Sequence, residues 1–202
     1  MRFKGEDMIS VKRLRAIIGW LGILLPWLLS ILIGEIPPSI SITYYTNASS
    51  CLLIVLGSTG LLLISYKGYE FIDDILNTLA GLFAIGICLF PCKTYSLKLN
   101  SLVGAFNVSM RISNIIHIVC VVFFFGILTY NTLFLFTKSK GIKTKNKKIR
   151  NKIYLICGVG MIIIFCLMPI INNTWLVETI ALFLFSISWL TKANIYIWLF
   201  RD

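Results

Sequence analysis

Ionisable side chains are rare in the apolar stretches of this chain, and two of them stand out. Glu178 lies in the sequence Trp-Leu-Val-Glu-Thr-Ile, and His117 follows Arg111 at the start of another apolar stretch. Burying an ionisable group in an apolar medium is costly, so such residues are candidates for function. A carboxylate forms charge-assisted hydrogen bonds with a guanidinium or an imidazolium group. Glu178 could therefore pair with Arg111 or with His117.

Segment 35–46 is polar, contains two consecutive prolines and lies between two long apolar runs. Its serine and tyrosine hydroxyls can both donate and accept hydrogen bonds. We predict that they form one ligand-binding pocket with the ionisable residues. The predicted pocket residues are Ser39, Ser41, Tyr44, Tyr45, Arg111, His117 and Glu178. The alternative is that each of these residues lies separately in the hydrated headgroup zone of a membrane, without a specific role.

The sequence contains no pattern typical of a catalytic site, and we predict no catalytic residue. A single histidine excludes the HExxH zinc motif, and GxSxG, P-loop and GxGxxG motifs are missing from the sequence. The six cysteines include no CxxC pair, so we predict neither a metal site nor a cofactor. Activation of Ser39 or Ser41 by His117 stays open as an alternative, because these residues could share a face.

The composition is typical of an integral membrane protein. Of the 202 residues, 58% are hydrophobic and 13% are charged, and the mean hydropathy is +0.89. Soluble domains have about 45–50% apolar and about 25% charged residues. A soluble fold of this length could not cover so much apolar surface, so most of it must face lipid or other helices.

The apolar runs predict six membrane-spanning helices, because a run of roughly 20 residues crosses the hydrocarbon core. The predicted helices are approximately residues 16–34, 50–66, 75–90, 114–136, 153–171 and 175–190. Gly57 and Gly60 in the second run permit close approach of a neighbouring helix. We therefore predict an all-α, polytopic transmembrane bundle of six helices that forms a single domain over residues 1–202.

A short polar turn separates the second and third runs. Asp73 or Asp74 can cap the N-terminus of the third helix, where a negative charge also complements the helix dipole. Binding of a cation by the two adjacent carboxylates is the alternative.

The distribution of basic residues predicts the orientation of the bundle. With the N-terminus in the cytoplasm, 16 of the 19 lysines and arginines fall in cytoplasmic segments, as the positive-inside rule requires. Both termini are therefore predicted to be cytoplasmic, and the polar pocket faces outward. The same rule explains the net charge of +11, so we predict membrane lipids as partners. Nucleic acid is excluded because a basic groove with interleaved aromatic residues is missing.

Several motifs resemble those of an uncharacterised family of bacterial six-helix integral membrane proteins. They are residues 38–46 (PSISITYYT), 65–69 (SYKGY), 79–86 (LAGLFAIG), 89–91 (LFP), 133–138, 151–154 and 188–192. The resemblance covers nearly the whole chain and implies a six-helix architecture. The Pro-x-Ile-Ser segment at 38–41 is also similar to the Frag1/DRAM/Sfk1 group of six-helix proteins, which implies a role in membrane lipid organisation.

These patterns together predict a non-enzymatic, multi-pass protein with an outward-facing pocket for a lipid or a small ligand. Abundant isoleucine, lysine and asparagine are typical of a low-GC bacterium, so we expect the bacterial inner (plasma) membrane. A small transporter or channel-like protein is the first alternative. An intramembrane enzyme that modifies lipids is the second.

Overall fold

The structure, a computed structural model, describes residues 5–68, 70–138 and 144–195. Within these ranges the chain forms six α-helices: α1 (Gly5–Ile33), α2 (Ser49–Ser65), α3 (Phe71–Leu89), α4 (Met110–Tyr130), α5 (Lys145–Ile171) and α6 (Thr174–Lys192). A 3-10 turn (Ser41–Tyr45) precedes α2, and a π-helical turn (Asn131–Leu135) continues α4. The predicted helical class is confirmed.

Five stretches of helix are long and apolar enough to cross a membrane. They are Val11–Ile33, Phe71–Leu89, Met110–Leu135, Lys145–Ile171 and Thr174–Lys192. The remaining helix, α2, is apolar and has 17 residues. This set of helices is typical of a multi-pass membrane protein.

The helices α1 and α5 extend further toward their N-termini than the apolar runs predict. They begin at Gly5 and Lys145, not near residues 16 and 153. Lysine and arginine are good helix formers, so a helix continues beyond its apolar run wherever its charged side chains can be hydrated. The α5 N-terminus is capped by Thr144, whose hydroxyl oxygen accepts a hydrogen bond from the Lys147 amide at 3.3 Å.

Acidic side chains organise the turn before α3. The N-cap is Glu70, and Asp73 at the third helical position completes a capping box with it, so Asp73 contributes to the cap as the sequence predicts but is not itself the N-cap. The Asp73 carboxylate accepts a hydrogen bond from the Glu70 amide at 3.3 Å, and the Asp74 carboxylate accepts one from the Gly68 amide at 2.7 Å. These bonds satisfy amides that have no partner within the helix.

A small β-hairpin lies in segment 91–113, where the sequence predicts only a loop. Strands β1 (Leu102–Val103) and β2 (Val108–Ser109) pair antiparallel. The turn between them uses left-handed backbone at Gly104 (φ 75°) and Asn107 (φ 49°), which these residue types tolerate best. Two-residue strands are too short to produce an alternating sequence pattern.

The helices are arranged in a ring in which each packs against its neighbour in sequence, and α1 packs against α6. The π-helical turn provides much of the contact between α4 and α5. We call the end where α1, α3 and α5 finish the hairpin end, because β1 and β2 lie there. We call the opposite end, where Arg15 and the start of α5 lie, the basic end.

A close backbone contact joins α2 and α3 at two glycines. A Cβ atom placed on Gly81 would lie 2.4 Å from the carbonyl oxygen of Gly60 and 2.6 Å from Ile64 Cγ1. In contrast, a Cβ atom on Gly57 would meet nothing within 4 Å. Small residues thus let the α2 and α3 backbones touch, as in other membrane helix pairs.

We expect Gly81→Ala to lower the free energy of unfolding by about 1–3 kcal/mol, because the added methyl group overlaps backbone that cannot move away. The matched substitution Gly57→Ala should leave it unchanged or raise it by up to about 1 kcal/mol, through helix propensity alone. Equilibrium unfolding of the purified protein in detergent measures both changes. Equal stability of the two variants would contradict the close contact between α2 and α3.

Candidate functional site

Segment 35–46 folds back into the hairpin end of the bundle. Gly34 ends α1 in the left-handed region (φ 84°), and its amide donates to the Ser30 carbonyl at 2.9 Å. The chain then passes Pro38, whose carbonyl accepts a hydrogen bond from the Trp175 amide at 3.1 Å. Thr43, in the following 3-10 turn, is completely buried. The segment is therefore packed against α6 and is not a free loop.

Glu178, on α6, receives two hydrogen bonds from the start of the 3-10 turn. The Ile40 amide donates to Glu178 Oε2 at 2.5 Å, and the Ser41 hydroxyl lies 3.2 Å from Oε1. The first amides of a helical turn lack partners within the turn, and a carboxylate is a favourable acceptor for them. This contact joins residues that are 138 positions apart in the sequence.

His117, on α4, is held from both sides of its ring. Nδ1 lies 2.8 Å from the Phe90 carbonyl oxygen, and Nε2 lies 3.2 Å from the Ser41 hydroxyl. A carbonyl oxygen can only accept, so Nδ1 carries a proton. His117 is 5% exposed. Glu178, Ser41 and His117 thus form a continuous hydrogen-bonded chain that connects α6, the 3-10 turn and α4.

A cavity of about 50 Å³ lies beside this chain, enough for a few water molecules. Its polar lining consists of Ser41, Tyr44, Cys88, His117 and Glu178. The rest is apolar and includes Leu25, Leu56, Val121, Phe124 and Leu182. The cavity is therefore polar at the hairpin end and apolar toward the middle of the bundle.

The structure brings four of the seven predicted pocket residues to this cavity: Ser41, Tyr44, His117 and Glu178. The Ser39 hydroxyl instead accepts a hydrogen bond from the Ile42 amide at 3.1 Å and stabilises the turn. Arg111 is exposed, and its amide donates to the Leu99 carbonyl at 3.2 Å. Within the described residues no ion pair joins Arg111 to Glu178, so of the two partners proposed for Glu178 only His117 is connected to it, through Ser41.

Tyr45 lies next to the cavity, and its hydroxyl makes a hydrogen bond that stabilises the fold. Its hydroxyl donates to the Cys92 carbonyl at 2.8 Å. Burial, then the neighbouring Cys92 thiol and Tyr44, raise the pKa of Tyr45 to about 12. Burial and the nearby charge of Glu178 likewise raise the pKa of the Cys92 thiol to about 12. Both groups are therefore neutral at physiological pH, and Cys92 is poorly nucleophilic.

The geometry differs from that of a serine hydrolase. In a Ser-His-acid triad the acid holds the second nitrogen of the histidine. Here that nitrogen faces the Phe90 carbonyl, and Glu178 contacts Ser41 itself. The arrangement fixes the serine hydroxyl between two partners and does not orient it for attack.

A second group of buried polar residues lies at the basic end, and the sequence analysis did not identify it. Arg15 is 6% exposed and donates through Nη2 to the Tyr66 hydroxyl at 2.8 Å. Nearby helices contribute Asn131, whose amide donates to Asn77 Oδ1 at 3.1 Å. Asn77 and Asn131 could have indicated this group from the sequence, because side-chain amides within apolar helices need hydrogen-bond partners.

Comparisons of the chain with protein-family models, with curated proteins and with solved structures find no match. The interpretation of the cavity therefore depends on its own geometry.

We expect Glu178→Leu to release the 3-10 turn from α6, because the Ile40 amide and the Ser41 hydroxyl lose their acceptor. Hydrogen–deuterium exchange of segment 35–46 should accelerate by at least about tenfold, as for the loss of a hydrogen bond to a charged group. Glu178→Gln keeps an amide oxygen in place and should cause a smaller change. Unchanged exchange in Glu178→Leu would contradict the anchoring contact.

Proposed function

We propose that this protein binds a single-chain amphiphile, such as one chain of a membrane lipid, with its polar head and first carbons in the cavity at the hairpin end. The observation that carries the proposal is the division of the cavity into a polar end, at Ser41, His117 and Glu178, and an apolar remainder. An amphiphile likewise has a polar head and an apolar tail. Ligand sites are typically apolar clefts in which a few polar groups fix the orientation of the ligand.

The position of the polar groups supports binding over conduction. Ionisable and amide side chains are concentrated at the hairpin end and at the basic end, whereas the buried residues between them include Leu56, Ala84 and Phe124, with the hydroxyls of Thr59 and Ser186. A pathway for ions or polar solutes would need polar groups or water along this interval. A ligand with an apolar tail instead requires apolar surroundings, and the core is mainly apolar.

The proposal includes six membrane spans with both termini in the cytoplasm. α2 has 17 residues, the lower end of the range that crosses a bilayer. The lysines and arginines, 16 of 19 in the segments that would be cytoplasmic, favour this orientation. The cavity then opens toward the outer leaflet of a bacterial inner membrane. The similarity of residues 38–41 to the Frag1/DRAM/Sfk1 group implies a role in membrane lipid organisation, which agrees with a lipid as the ligand.

Filling the cavity tests the function. Val121 lines the cavity, whereas its neighbour Val122 is 63% exposed on the outside of the same helix. We expect Val121→Phe to reduce the amount of co-purifying lipid in native mass spectrometry by at least about tenfold, because an added ring occupies the space of the ligand. Val122→Phe should retain the wild-type amount. Equal lipid occupancy in both variants, or no bound lipid in the wild-type protein, would overturn the proposal.

Single cysteines test the orientation in a background without the native cysteines. Tyr95 is 97% exposed at the hairpin end, and Lys145 is exposed at the start of α5. We expect a membrane-impermeant maleimide to label Tyr95→Cys in intact cells and to label Lys145→Cys only after the membrane is opened. The reverse pattern would place the cavity on the cytoplasmic side and contradict the proposed topology.

A further inference from the structure

We infer that the ligand of this cavity has a cationic ammonium head, for which a hydroxyl head is a weaker substitute, and that anionic heads such as phosphate are rejected. This inference deepens the proposed function and depends on it. It follows from the hydrogen-bonding capacity that remains at the polar end of the cavity, from the charges that line it and from an aromatic residue at the same end.

At the polar end, the hydrogen-bond donors of His117 and Ser41 are already engaged. His117 uses Nδ1 toward the Phe90 carbonyl and Nε2 toward Ser41. Ser41 has a single hydroxyl hydrogen, and it lies between His117 and Glu178. The donors of His117 and Ser41 are therefore spent within this chain, and the Glu178 carboxylate has no donor of its own.

Acceptor capacity remains on the same groups. Each carboxylate oxygen can accept about two hydrogen bonds. The Ile40 amide and the Ser41 hydroxyl each donate to one oxygen of Glu178, and the Ser41 amide also faces the carboxylate, so part of its acceptor capacity remains. The free lone pairs of Glu178 can be satisfied only by a donor. A ligand with an ammonium or hydroxyl head supplies such a donor, whereas a phosphate or carboxylate head would add further acceptors.

The charge of the lining favours the ammonium group over the hydroxyl. Among the described residues that line the cavity, Glu178 is the acidic residue and there is no lysine or arginine. Arg111 and Lys93, at the same end of the bundle, are exposed. An anionic head would be repelled by Glu178 without a neighbouring cation, and the repulsion is stronger in apolar surroundings than in water. An ammonium head would neutralise the carboxylate.

An aromatic side chain supplies a second reason for a cation. Tyr44 lines the polar end of the cavity, and the face of such a ring attracts cations when water is excluded. Tyr44 is positioned by an edge contact with Tyr45, with ring centroids 5.2 Å apart. A carboxylate and an aromatic ring at the same end of the cavity are a suitable environment for an alkylammonium head.

Three probes with the same alkyl chain test the inference: dodecylamine, dodecanol and dodecyl phosphate. Each is titrated into the purified full-length protein in a nonionic detergent at neutral pH, and the bound fraction is measured by native mass spectrometry. We expect the wild-type protein to bind the amine at least about tenfold more tightly than the alcohol, as for one charge-assisted contact, and the phosphate more weakly than both.

Variants separate the head preference from the binding of the chain. Glu178→Gln should reduce amine binding to the level of the alcohol, because the charge is lost and an amide oxygen remains. Val121→Phe should weaken all three probes, and Val122→Phe should weaken none. Phosphate binding equal to that of the amine, equal wild-type binding of amine and alcohol, or an amine preference that survives in Glu178→Gln would each overturn the ammonium assignment. If Val121→Phe and Val122→Phe bind every probe equally, the proposed function itself fails.

Discussion

Two hydrogen bonds to the Glu178 carboxylate, from the Ile40 amide and the Ser41 hydroxyl, hold the segment between α1 and α2 against α6. The remaining structure of the hairpin end depends on them. They place Ser41 within reach of His117, which is itself fixed by the carbonyl that follows α3. They also bring Tyr44 to the cavity wall. A charged group in apolar surroundings is stable only when its lone pairs are satisfied, so the turn and the carboxylate stabilise each other.

At each end of the bundle a buried charged group needs hydrogen-bond partners, and the charges at the two ends are opposite. At the hairpin end a carboxylate receives amide and hydroxyl donors, and space remains beside it. At the basic end the Arg15 guanidinium donates to the Tyr66 hydroxyl and to the Lys192 carbonyl, which also closes α1 onto α6. The glycine contact between α2 and α3 is apolar and depends on shape alone. Polar contacts at the ends and close packing in the middle together define the ring.

Hydropathy was sufficient to predict the helices, since an uninterrupted apolar run has few other stable structures in a membrane. It did not predict where α1 and α5 begin, because charged residues continue a helix outside the apolar zone. In the site, Glu178 and His117 were recognisable because ionisable residues are rare in such runs. The contact between Glu178 and Ile40 was not predictable, since it uses a backbone amide, which every residue except proline has. Arg111 lies at the exposed start of α4, where its charge can be hydrated, so a charge at the edge of an apolar run does not by itself indicate a place in the cavity.

The contact between Ile40 and Glu178 also has a consequence for the order of assembly. During synthesis the chain emerges from its N-terminus, and the two residues are 138 positions apart. The pair of α2 and α3, which are adjacent in sequence, can pack as soon as both helices are inserted. The cavity cannot be completed until α6 has been translated, so the 3-10 turn has no carboxylate partner while α2 to α5 are being made. The complete cavity is thus a property of the finished chain, and a nascent protein that stops before α6 lacks the carboxylate that holds the 3-10 turn.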